Sequence, residues 1–147
     1  MERSNIVQHL LNLGEIEHNA EWLDYVDLGI TSSNIPALLD LVSDPALHAA
    51  PVDSNEIWAP QHAWRALGQL GDERALKGII SSLNTLVNDD AAHQELPTVL
   101  CMIGVTAQPL LGEFLSDSTN QEFARAIAAQ ALQDIALEYP SSRALSV

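Results

Sequence analysis

Three segments of the chain end in an apolar residue followed by glycine, and each leads into a second apolar segment. "WLDYVDLG" ends at Gly29, "WRALGQLG" at Gly71 and "PTVLCMIG" at Gly104; "IPALLDLV", "LKGIISSL" and "QPLLGEFL" follow them. Apolar residues recur in these segments at helical spacing, and glycine is the usual residue where a helix must stop. Each two-helix unit has an apolar face too broad to bury alone, so neighbouring units must stack. The expectation is an all-α chain, an α-α superhelix of about four helix pairs in one domain covering residues 1–147. An additional N-terminal helix carries Ile6, Val7, Leu10, Leu11 and Leu13.

Local signals set the boundaries. Ser4 is a candidate cap for the first helix and Gly14 its stop. Trp22, Leu23, Val26 and Leu28 predict a second helix, and Ser33 with Pro36 opens a third. Pro60 opens a fourth, and Asp72 caps a fifth. Pro97 bends or starts a sixth. Leu110, Leu111, Phe114 and Leu115 mark a seventh. Thr119-x-x-Glu122 reads as a capping box for an eighth helix that buries Phe123, Ile127, Ala131 and Ile135. "SSRALSV" begins a further helix and stops. Arg143, Ala144 and Leu145 there echo Arg74, Ala75 and Leu76. A last unit this short leaves Ile127, Leu132 and Leu145 uncovered, so self-association through this end as a homodimer is expected.

"HAWRALGQLGDERALKGIISSL", at 62–83, resembles the HEAT-like repeats named after the phycobilisome lyases. The matching residues are Ala66, Leu67, Gly68, Leu70, Gly71, Asp72, Ala75 and Leu76. The first repeat lacks the aspartate after Gly29, and the third has Val105 in its place. The resemblance implies a HEAT-like solenoid and identifies architecture rather than chemistry.

The repeat is irregular in one place. Gly29 and Gly71 are 42 positions apart, Gly71 and Gly104 only 33. The extra residues fall in an inter-repeat loop at 44–62, with three prolines and a short helical turn expected at 46–49. Long loops in compact domains are often functional. Trp58 has no counterpart in the other repeats and is the candidate anchor; Glu56, His62 and Arg65 are its neighbours. Trp64, where Trp22 stands one repeat earlier, reads as packing. His62 falls in the first turn of its helix, and Arg65 is free to bind an anion or to pair with Glu56 or Asp53. The second helices are expected to line a mildly polar groove with Asp40, Lys77, Ser81, Thr85, Gln108 and Glu113.

The remaining residues exclude more than they assign. Glu17, His18, Glu21 and Asp24 share a helix flank, but a metal site needs ligands from a second element, so no metal or other cofactor is expected. Cys101, the lone cysteine, lies among Leu100, Met102 and Ile103 and reads as an inert thiol. No phosphate loop or nucleophile elbow occurs. A net charge of −14 repels nucleic acid and anionic lipid. It also disfavours a DNA glycosylase built of HEAT-like repeats, which needs a basic channel. With no leader or membrane-length apolar run, the expected location is cytoplasmic. The functional expectation is a non-catalytic protein-interaction scaffold whose partner carries a basic segment. The alternative is a small-molecule-binding or lyase-like enzyme on the same fold. An enclosed pocket beside Trp58 and Arg65 favours the enzyme, and an open groove favours a protein partner.

Overall fold

The computed structural model describes residues 5–16 and 21–139, and among them every regular element is helical. The α-helices are α1 (Asn5–Asn12), α2 (Ile35–Ser43), α3 (Pro45–His48), α4 (Ala59–Leu70), α5 (Leu76–Ser82), α6 (Asp90–Ile103), α7 (Gln108–Ser116) and α8 (Glu122–Glu138). Helix α4 packs between α2 and α6, and α6 packs on α8, which also receives α7. Helix α5 lies between α2 and α7, and α1 leans on α4. Leu38, Leu67, Ile79, Leu96, Leu100, Leu111 and Ile135 are fully buried where these helices meet.

The repeated segments end and begin with the same local devices. Gly71 closes α4 in the left-handed region at φ 62°, donating to the carbonyls of Leu67 and Gly68. Gly29 (φ 107°) ends its segment with paired bonds from Gly29 N–H to Val26 O and Ile30 N–H to Tyr25 O, the glycine-terminated helix end. A 3-10 turn then leads into each second helix: Ser32–Asn34 before α2, Glu73–Ala75 before α5 and Val105–Ala107 before α7. Beyond each second helix, a side chain binds the backbone carbonyl six residues before it. His48 Nε2–H donates to Val42 O at 2.7 Å, His93 Nε2–H to Val87 O at 2.8 Å and Asn120 Nδ2–H to Phe114 O at 2.9 Å. Of these acceptors, Val42 O lies in the last turn of α2, where a helix leaves carbonyls open; Val87 O lies in the turn before α6, and Phe114 O also accepts from Asp117 N–H.

Several expectations need correction. Trp22–Leu28 forms turns rather than a helix. Its own backbone bonds, Leu28 N–H to Asp24 O among them, close a single turn, and a side chain of α4 ties that turn down from outside. The Gln69 side-chain amide accepts from Tyr25 N–H at 2.8 Å and donates to Leu23 O at 2.7 Å. Of the two roles expected for Pro97, it does not start α6 but sits inside it, because Asp89 caps the helix two turns earlier by accepting from Ala92 N–H. Thr119 does not form the capping box; it binds Asp117, and α8 begins at Glu122 with Phe123 63% exposed. Ile127 and Leu132, expected at an uncovered end, are 2% and 8% exposed against α6 and α7. Leu145, the third member of that patch, and the Ser4 cap lie outside the described residues. The short turn in the long loop is present as α3, whose cap is Asp44.

Helices α6 and α7 meet at 110° across Gly104, and among the described residues no single helix is long and apolar enough to cross a membrane. Helices α4 and α6 approach closely at Gly68, where an added Cβ would lie 3.3 Å from the Val99 Cα and 3.2 Å from the Met102 Sδ. Backbone cannot yield there. Gly112 in α7 has nothing within 4 Å of the same construction. Gly68→Leu should therefore destabilise the fold by about 2 kcal/mol or more, through overpacking. Gly112→Ala should stabilise it by about 0.5–1 kcal/mol through helix propensity. Urea denaturation of the two variants measures both, and equal effects would show that α4 and α6 do not depend on this approach.

Candidate functional site

Helix α4 carries its polar side chains inward as well as outward. Arg65 is 6% exposed and His62 3%, so neither is presented to solvent. Arg65 instead makes two parallel bonds to Glu95 on α6, Nε to Oε1 and one terminal nitrogen to Oε2, each 2.7 Å. This replaces the expected pairing with Glu56 or Asp53. The same carboxylate accepts from the Trp64 indole N–H at 3.1 Å and from Gln61 Nε2. Burial alone would push the Glu95 carboxyl up; the donors from Arg65, Trp64 and Gln61 outweigh it and hold it below its ordinary value. The outer face of the guanidinium lies 4.5 Å from the Trp22 ring centroid, a cation–π contact.

The network continues toward α1. His62 Nε2–H donates to Gly14 O at 2.9 Å, which leaves Nδ1 to accept from the Tyr25 hydroxyl at 2.7 Å. Tyr25 is fully buried, and burial raises its pKa to about 12 against the opposing pull of Arg65. Burial likewise lowers the His62 pKa, more than the Gly14 carbonyl raises it. Among the described residues no buried side-chain nitrogen or oxygen lacks a partner. A histidine, a tyrosine, an arginine and a glutamate stand together here, yet each is bonded to a neighbour, and none lines the two grooves described below. The cluster is a fastening between α1, the 21–30 turn, α4 and α6.

The open surface lies on the other side of Trp64. A groove of about 760 Å³ runs between the long loop and the start of α6, lined by Val52, Trp58, Trp64, Leu86, Asp89 and Asp90 among others. Trp58 is half-buried there, as the last residue of the 3-10 turn Glu56–Trp58. Val52 at the rim is 86% exposed. Glu56 is exposed but does not line the groove, and neither do His62 and Arg65. Loop ends are fixed: Leu47 is buried, His48 binds Val42 O, and Asn55 Nδ2–H reaches Asn12 O at 3.4 Å. Asp89 caps α6 with Oδ1, while its Oδ2 lies 3.7 Å from His48 Nδ1.

A second, shallower groove of about 470 Å³ lies between α5 and α7. It brings together Lys77, Ser81 and Glu113 as the sequence led one to expect, with Asn84, Phe114 and Asn120. Asp40 is exposed on α2 and stands apart from it, Gln108 is buried, and Thr85 lines the first groove instead. Glu17 and His18 lie outside the described residues, among which no group of three or more metal-ligating side chains occurs. Cys101 is half-buried; burial, Asp134 and Glu138 push its thiol up, away from the reactive thiolate. Sequence reasoning missed Glu95, Tyr25, Asp89 and Asp90. Only the last two carried a usable signal, as paired acids before an apolar periodic run.

Comparison with protein-family models, with curated proteins and with solved structures gives no match.

The fastening makes two predictions. Glu95→Leu leaves a buried guanidinium unpaired and should destabilise the fold by about 3 kcal/mol or more. Adding Arg65→Leu should restore a large part of that loss. A double-mutant cycle in urea reads the coupling, and strictly additive effects would show that the pair is not one unit. The second concerns pH. The His62 pKa is lower in the folded chain than its ordinary 6.5, so the unfolded chain takes up the proton first. Stability is then full above pH 6.5 and falls as the pH drops toward the folded value. Glu95, lowered from 4.5, adds a further loss below that. Tyr25, raised from 10.0 to about 12, removes stability as the pH rises above 10. His62→Gln, which can donate to Gly14 O and accept from Tyr25, should flatten the decline between about pH 7 and 5. An unchanged slope in that window would exclude His62 as its source.

Proposed function

We propose that the chain is a non-catalytic binding module of the HEAT-like type, an α-α superhelix whose 44–62 loop forms one wall of a groove for a protein partner. The observation that carries this reading is the form of the site at Trp58. It is a partly open groove between a loop and a helix start, with half-buried Trp58 in its wall, the edge of buried Trp64 at its base and carboxylates in its lining. Polypeptide segments fit such grooves, whereas small-molecule sites bury most of their ligand. The side chains with catalytic potential are bound to one another in the interior, which takes support from the lyase-like alternative.

The repeated glycine ends, the 3-10 entries and the carbonyl caps support the HEAT-like reading of the architecture. With a net charge of −14 the partner surface is basic rather than acidic, and nucleic acid is disfavoured. The second groove, with Lys77, Ser81 and Glu113, and exposed Asp40 extend the surface along the second helices. The module works inside the cell in this reading.

The test is selection of a displayed random-peptide library on the immobilised chain. Binders should emerge, and Trp58→Ala should weaken them by about 2 kcal/mol, roughly thirtyfold, while the unfolding midpoint stays close to that of the parent. If the variant melts instead and binding per folded molecule is unchanged, Trp58 is a structural lid and the groove is not the working surface.

A further inference from the structure

Four basic residues lie in the described part of the chain: Arg65, Arg74, Lys77 and Arg125. Arg65 is held by Glu95, Arg74 by Asp72, and Arg125 donates to Leu115 O. Lys77 lines the α5–α7 groove. None of the four lines the groove at Trp58, although that groove sets aromatic surface against Asp89 and Asp90. Asp90 is exposed and takes no part in capping α6, which Asp89 Oδ1 does alone. The one positively chargeable side chain there is His48, which keeps Nε2–H on Val42 O and faces Asp89 at 3.7 Å.

The molecule already contains the completed form of this arrangement. In the interior, the Arg65 guanidinium lies over the Trp22 ring at 4.5 Å and grips the Glu95 carboxylate edge-on. A planar cation between an indole and a carboxylate satisfies both, through the ring quadrupole on one side and paired N–H bonds on the other. At the groove the indole and the carboxylates are present and the chain's described cations are all elsewhere. We infer that the groove at Trp58 is a recognition site for an arginine side chain on a partner polypeptide, with the guanidinium between Trp58 and the Asp89–Asp90 pair and an adjoining apolar residue against Val52. Arginine suits the site better than lysine because its flat face stacks on an indole while its edge pairs with a carboxylate. The apolar neighbour follows from Val52, whose 86% exposure on the rim leaves apolar surface in water.

This inference rests on the groove being the working surface, and the experiment separates the two. The probe is acetyl-Leu-Arg-amide, titrated into the full chain while the three tryptophan indole N–H resonances are followed by NMR. The comparison probe is the same dipeptide with citrulline, which keeps the shape and removes the charge. Arginine peptide should move the Trp58 indole and the backbone amides of Asp89 and Asp90, leaving the Trp22 indole in place. The citrulline peptide should bind about five- to tenfold more weakly. The lysine analogue should fall between them. Asp89→Asn with Asp90→Asn keeps a competent helix cap, since asparagine caps as well as aspartate, and should abolish the preference for arginine over citrulline with the fold intact. Equal affinity for the two probes overturns the inference, as does a response confined to the α5–α7 groove. If library peptides bind at Trp58 with no preference for arginine, the binding groove stands and the arginine site falls. If a second copy of the chain, rather than peptide, shifts the Trp58 indole as the protein is concentrated, the occupant is the chain itself and the inference fails.

Discussion

One carboxylate ties the molecule together. Glu95 stands on α6 and receives donors from three residues of α4: Gln61, Trp64 and Arg65. Arg65 in turn holds Trp22, and His62 joins Tyr25 to the carbonyl of Gly14. The 21–30 segment closes only a single turn with its own backbone bonds and is tied to α4 by these side chains and by the Gln69 amide. Buried charges are unfavourable unless fully partnered. Here the partnering is complete, so the cluster fixes the register of α4 on α6 and of the N-terminal segment on both. Apolar packing alone specifies such a register weakly, because leucine-rich faces tolerate sliding.

The division between what was legible in the sequence and what was not follows the range of the interaction. Helix stops at Gly71 and Gly104 and the Pro36 and Pro60 starts are decided within a few residues, and they read directly. So did the apolar faces of α1, α2, α5 and α7. Asp72, expected to cap α5, caps the 3-10 turn that leads into it. The 22–28 segment misled because its apolar spacing is helical while its conformation is imposed by Gln69, more than forty positions away. Phe123 misled because periodicity marks a face without saying whether anything covers it; it meets only the edge of the His93 ring, 6.1 Å between centroids, and stays exposed. At the candidate site, the length of the loop and Trp58, which has no counterpart in the other repeats, pointed to the region where the first groove lies. The roles of Arg65 and His62 did not show, since an arginine thirty positions from its glutamate looks the same in sequence as one on the surface.

Burial of Arg65 has a consequence for the surface. A chain with six basic residues and twenty acidic ones has few cations to distribute. Committing one to the interior and another to the Asp72 turn leaves the loop and the start of α6 with carboxylates and, among the described residues, no lysine or arginine lining the groove between them. Local repulsion among Asp89, Asp90 and the neighbouring acids is eased by the α6 N-terminus, whose dipole favours negative charge in the first turn.

Trp64 belongs to both regions. Its indole N–H is fixed on Glu95, and the ring also forms part of the groove. With 1% exposure and a hydrogen bond at one end, it cannot turn without breaking the network. The groove thus has one wall set by the core and another carried by a loop pinned at His48 and Asn55, with Pro51, Val52 and Asp53 exposed between them. Binding to a fixed wall loses less side-chain freedom than binding to two mobile ones. The buried pair that holds the helices together also holds still the surface on which a partner would land, so a substitution at Glu95 acts on stability and on the shape of the groove through the same hydrogen bond.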